Sequence, residues 1–184
     1  MSNIDLNTLR DRAYKIACEH GFHDKELSNQ HCLMLVISEL SEAVEADRKG
    51  RRINKELINN WVKLHSETDI TFKENFDSYI KDTVEDELAD TAIRLLDLAG
   101  LRNINLNGRT IIVYIVSKKK SFTENCYAII KDIVNYRYTM EECLNYAIRQ
   151  IFEFANFSDI DLAWHIEQKM RYNELREKMH GKKY

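Results

Sequence analysis

A chain of 184 residues with 44% hydrophobic and 31% charged side chains is long enough to bury one real core and too apolar to be disordered. Its net charge of −3 argues against a general nucleic-acid binder, which would be basic. Its longest apolar run, "IIVYIV" at 111–116, is far too short to cross a bilayer, and no proline stands in the way of long helices.

In chain order, residues 1–20 are polar and lack an apolar signal core, so the expected location is the cytoplasm. Helices are expected over roughly 5–20, 30–49 and 76–99, followed by Gly21, Gly50 and Gly100, because a residue with positive φ ends a helix and glycine adopts one freely. Residues 51–75 are less regular and contain Trp61. The β-branched stretch "RTIIVYIVS" at 109–117 predicts a short strand near 110–117. In the second half, a Ser or Thr followed three residues later by an acid marks each helix start: Ser121 with Glu124, Thr139 with Glu142, Ser158 with Asp161. Helices follow over about 122–136, 139–156 and 159–179, the last closed by Gly181. Cys18, Cys32, Cys126 and Cys143 are scattered without a C-x-x-C, so they read as free thiols rather than a disulfide or zinc site. With no repeat or low-complexity tract, residues 1–184 read as one mainly helical domain.

The stretch "ISELSEAVEADRKG", 37–50, places Glu39, Glu42 and Glu45 on successive turns of one helix, with no base until Arg48 and Lys49. The main apolar stripe is Leu33, Val36, Ile37, Leu40 and Val44. Glu39 and Glu42 border a second, weaker apolar surface with Leu35, Ala43 and Ala46, whereas Glu45 points toward solvent. "VEDELADTAIRLLDLAG", 84–100, repeats the theme: Val84, Leu88, Ala92, Leu95 and Ala99 form the stripe, Glu87 and Asp90 stand beside it, and Asp86 and Asp97 lie further round. Two such helices facing each other would gather four carboxylates. Unpaired, these would repel and resist desolvation, and a hard divalent cation with oxygen ligands relieves both costs. The same spacing also fits a solvated or salt-bridged face, and Arg94, four residues after Asp90, is placed to pair with it.

"SELSEAVEADRKGRR" followed by "DELADTAIRLLDLAG" resembles the MazG-like, all-α nucleoside triphosphate pyrophosphohydrolase superfamily, whose signature is E-x-x-E on one helix and E-x-x-D on the next. The matching positions are Glu39, Glu42, Glu87 and Asp90. The tail "EQKMRYNELREKMHGKKY" is similar to the family's K-x-x-x-N-x-x-R-x-x-x-H-G-K pattern, matched at Lys169, Asn173, Arg176, His180, Gly181 and Lys182. The resemblance covers 28–50, 82–104 and 160–184 well, and 51–81 and 105–158 poorly. It implies an all-α helical bundle with a four-helix core and extra C-terminal helices. It also implies hydrolysis of a nucleoside triphosphate to the monophosphate and pyrophosphate.

In that reading Glu39, Glu42, Glu87 and Asp90 hold Mg²⁺, with Mn²⁺ as a substitute, and form the catalytic set. Lys169, Asn173, Arg176 and Lys182 contact substrate phosphates in place of a P-loop, which the chain lacks. Trp61 is the candidate platform for the base, with a core position as its competing reading. Trp164 reads as core, and His165 receives no role. The expected partners are the nucleotide and further copies of the chain, as a homodimer or dimer of dimers, with no nucleic acid and no membrane. The competing functions are hydrolysis of a phosphoribosyl-ATP-type substrate and a non-catalytic helical module that binds nucleotide or protein. The first four acids being intact argues against the latter.

Overall fold

Local capping chemistry sets most of the helix boundaries. The computed structural model describes residues 5–62, 68–107, 113–137 and 139–181, and every regular element among them is helical. α1 (Leu6–Glu19) starts where the Asp5 carboxylate accepts the Asn7 and Thr8 amides, and Gly21, with φ 81°, turns the chain away from it. α2 (Asn29–Arg48) opens at Ser28 and ends before Gly50, φ 66°. α3 (Lys55–Val62) and α4 (Asp69–Tyr79) occupy the stretch that looked irregular. α5 (Val84–Leu101), α6 (Phe122–Val134), α7 (Met140–Phe157) and α8 (Leu162–Glu174) complete the order, with a 3₁₀ turn at Lys178–Gly181. The capping boxes at Ser121/Glu124 and Thr139/Glu142 form as expected.

Four expectations need correction. The helix foreseen over 76–99 is broken: α4 stops at Tyr79, Asp82 takes φ 59°, and Thr83 caps a new helix by accepting the Asp86 amide. Gly100 does not end a helix but lies within α5, whose chain reversal falls to Asn103 at φ 51°. Ser158 caps the end of α7, and Asp161 is the N-cap of α8, accepting the Trp164 amide at 3.2 Å. Finally, 113–117 is not a strand, and 109–112 lie outside the described residues. The Gln150 side chain satisfies this segment instead, accepting from Ile115 N and donating to Val113 O.

α5 is the central element and packs against α1, α2, α7 and α8. Its predicted stripe, Val84, Leu88, Ala92, Leu95 and Ala99, is entirely buried. A second apolar cluster, Ile58, Trp61, Phe72, Phe76, Ile80 and Tyr172, joins α3 and α4 to α8. All four cysteines are free; burial pushes the Cys126 and Cys143 thiols up to about 12. Among the described residues no helix is long and apolar enough to cross a membrane.

Two predictions follow from this packing. A Cβ on Gly100 would collide with Tyr14 Cβ, so Gly100→Ala should cost about 1–3 kcal/mol in urea denaturation, and Tyr14→Gly, which removes that Cβ, should cost less in the Gly100→Ala chain than in the parent. His165 is 3% exposed and burial holds its pKa down at about 4, against about 6.5 when unfolded. Between those values only the unfolded chain takes up the proton. Stability from the neutral ring is therefore complete above about pH 6.5 and is lost as pH falls toward 4. His165→Leu should flatten the pH dependence of denaturation over that window.

Candidate functional site

The acid motifs meet where α2 packs against α5. Leu40 and Ala43 on α2, and Leu88 and Ala89 on α5, point into the core, and the acids beside them are carried to the same contact. Glu39 is 5% exposed and Glu87 6%, while Glu42 is open to solvent. One carboxylate oxygen from each of Glu39, Glu42 and Glu87 lies within 4.8 Å of the others. Arg94 donates Nε to Glu39 Oε1 at 3.0 Å, and Ser38 Oγ approaches Glu42 Oε1 at 3.4 Å.

Asp90 is turned toward a different partner. Lys169 Nζ lies 2.8 Å from Asp90 Oδ2 and 2.8 Å from Asp86 Oδ1, with its side chain only 6% exposed. Lys169 thus bridges two carboxylates from within the fold, where an exposed phosphate contact was expected. Asp86, placed off the important face by the sequence, is the other half of that bridge. The signal that could have found it is its spacing of four from Asp90, which puts both on one side of α5. Arg94, which its spacing also allowed to pair with Asp90, pairs with Glu39 across the helix contact.

Electrostatics separate the paired acids from the unpaired ones. Burial, then Asp90 and Asp86, push Glu87 up to about 9. Burial and then Asp90 raise Glu39 despite Arg94. Burial raises Asp86 to about 6, opposed chiefly by Lys169. Burial works against the Lys169 charge, but Asp90 and Asp86 outweigh it and hold its pKa above the ordinary lysine value. Among the described residues no ion pair reaches Glu42 or Glu87. The donor set therefore suits a hard divalent cation: three carboxylate oxygens in mutual reach, two of them without a counter-charge.

The remaining predicted residues divide. Asn173 is 7% exposed with no hydrogen-bond partner for Oδ1, and Arg176 sits over the Tyr172 ring; both line a pocket that also touches Asp90 and Arg94. Lys182 and the His180 side chain lie outside the described residues. Trp61 is 6% exposed and packs against Phe72 and Trp164 at ring separations of 5.6 and 6.2 Å, so it is a core residue rather than a platform for a base. Its apolar face is consumed by the cluster that docks α3 and α4. Glu45 is at the surface, as expected, where Lys49 and then Arg48 hold its carboxyl below the usual range.

The chain matches no model of a known family, no curated protein and no solved structure.

Lys169→Met should lower stability by about 3–5 kcal/mol, because it strands the buried Asp86 carboxylate, and the partly exposed Asp90 beside it, without their cation. Glu87→Gln should leave the protein at least as stable in chelator, because it removes a buried group that resists ionisation. Thermal denaturation of both variants in chelator is the check; a Lys169→Met protein as stable as the parent contradicts the assigned pairing.

Proposed function

We propose that the chain is a Mg²⁺-dependent nucleoside triphosphate pyrophosphohydrolase of MazG-like architecture. The observation that carries this reading is the convergence of Glu39, Glu42 and Glu87 from two packed helices, with no cation committed to Glu42 or Glu87. Bound there, Mg²⁺ would neutralise phosphate charge and lower the pKa of a water for attack on phosphorus.

The chain's own groups supply the rest. Glu39, Glu42 and Glu87 hold the ion, and Arg94 fixes the Glu39 carboxylate. Glu42 is the exposed member, so ion and phosphates enter from its side. Lys169 clamps Asp90 and Asp86 on the far edge, which keeps Asp90 from adding a further free charge. Arg176 and Asn173 stand on the adjoining pocket wall, where Arg176 can meet a phosphate oxygen with a charge-assisted bond. Water is the nucleophile in this reading, since the three clustered acids and the residues lining the adjoining pocket include no Ser, Cys or Lys among the described residues. Assembly as a homodimer or dimer of dimers belongs to the same proposal. The exposed Met34 on α2 and Tyr127 and Val134 on α6 offer apolar surface for it.

Pyrophosphate release from a panel of nucleoside triphosphates, with Mg²⁺ and with chelator, tests the reading. Turnover should require the ion. Glu42→Gln should lower it by about 100-fold or more, while Glu45→Gln, whose carboxylate faces solvent, should stay within a few-fold. Turnover that survives chelator or Glu42→Gln overturns the metal assignment. Nucleotide binding with no release of pyrophosphate favours the non-catalytic module.

A further inference from the structure

Beside the acid cluster lies a pocket from which the hydrolytic reading uses only Arg176, on its wall. Its apolar walls come from α1, from Phe22 after it, from Ile93 of α5 and from Met170 of α8. Asp90 and Arg94 are among its lining residues, so it adjoins the acid site. Its volume is about 50 Å³, room for the edge of a flat ring and not for a whole nucleotide.

The polar groups inside are fixed and mostly acceptors. Asp97 follows Asp90 by seven residues, two turns along α5, and so shares its side. Its Oδ1 accepts from His23 Nε2 at 2.7 Å, and the two side chains are 16% and 7% exposed. The His23 ring lies 5.2 Å from Tyr14, which holds it in place. A carboxylate has about four acceptor positions, and this bond occupies one. The Asn173 Oδ1 is a second acceptor in the same pocket, buried and without a partner. A buried acceptor left unsatisfied is costly, and a ligand N–H would relieve it. Phe22 adds an apolar wall, with the Arg94 guanidinium 5.9 Å from its ring centroid.

We propose that this pocket receives the base of the substrate and that Asp97, positioned by His23, selects a base with adjacent N–H donors, as guanine has. The identity of the ligand rests on the nucleotide reading above; the geometry of the pocket does not depend on the metal. Guanine presents a ring N–H and an amino group side by side, a match for a carboxylate. Hypoxanthine lacks that amino group. Uracil flanks its ring N–H with two oxygens that a carboxylate repels.

The test uses nucleosides in chelator, where neither phosphate nor metal contributes. Isothermal titration of the full chain should show guanosine binding about tenfold or more tighter than inosine, which lacks only the amino group, with uridine weaker still. Asp97→Asn keeps the shape but replaces an acceptor with a donor, and should bring guanosine and inosine to within about twofold. The parent protein alone decides the pocket's preference, so the proposal survives a variant that fails to fold. Equal affinity for guanosine and inosine, or no nucleoside binding at millimolar concentration, overturns it. A folded Asp97→Asn protein that keeps the tenfold ratio removes Asp97 from recognition. Selective guanosine binding without hydrolysis of any triphosphate overturns the catalytic reading and leaves the pocket assigned.

Discussion

The burial of carboxylates at the contact between α2 and α5 governs the polar architecture of this protein. A charge taken out of water without a partner costs several kcal/mol, so each buried acid has to find a cation, keep its proton or be supplied with an ion. The first two of these solutions occur within one patch. Glu39 has Arg94; Asp86 and Asp90 share Lys169; Glu87, with no cation, holds its proton up to about pH 9. The position that retains a proton for want of a counter-charge is the one a divalent ion would relieve most.

The scaffold fixes these groups by tying down both ends of the contact. The Val84 amide donates to Arg51 O at 3.0 Å, and the Ile53 amide donates to Glu85 Oε2 at 3.2 Å. These bonds join the chain leaving α2 to the start of α5, which sets the register of Glu42 against Glu87. On the other side α8 is held to α1 by Arg12 with Glu167 and Glu174, and Met179 N donates to His20 O at 2.9 Å. The ion pairs are individually worth little at such exposure. Their importance is positional: they carry Lys169, Asn173 and Arg176 to the face of α5 that bears Asp90. Arg94 and Arg176 then line the pocket that also touches Asp90 and Asp97, whose carboxylate is paired with His23.

Much of this was legible in the sequence, because it depends on spacing within a single helix. The three-residue steps from Glu39 to Glu42 and from Glu87 to Asp90 fix which acids share a side, and the apolar stripes beside them fix which side turns inward. Capping boxes at Ser121 and Thr139 and positive φ at Gly21 and Gly50 are likewise local, and each fell where the sequence placed it. The failures were also local in appearance but not in cause. Gly100 looks like a helix stop, yet it is small because Tyr14 of α1 crowds it. Ser158 looks like a cap, yet the chain reverses through Asp159 and leaves Asp161 to do the capping.

What only the tertiary structure decided is which partner each charge receives. Within α5, Arg94 is as well spaced for Asp90 as for any other acid, but packing turns it to Glu39 on α2. Lys169 reads as one cation in an amphipathic tail, and only the docking of α8 on α5 sinks it between Asp86 and Asp90. Trp61 could have been a binding platform until α3 and α4 closed over it against Phe72 and Trp164. The sequence by itself determined most of the helices, their buried stripes and which acids share a side of one helix, because periodicity acts along one chain segment. The pairing of charges is a property of distances between segments, and those distances exist only once the helices have packed.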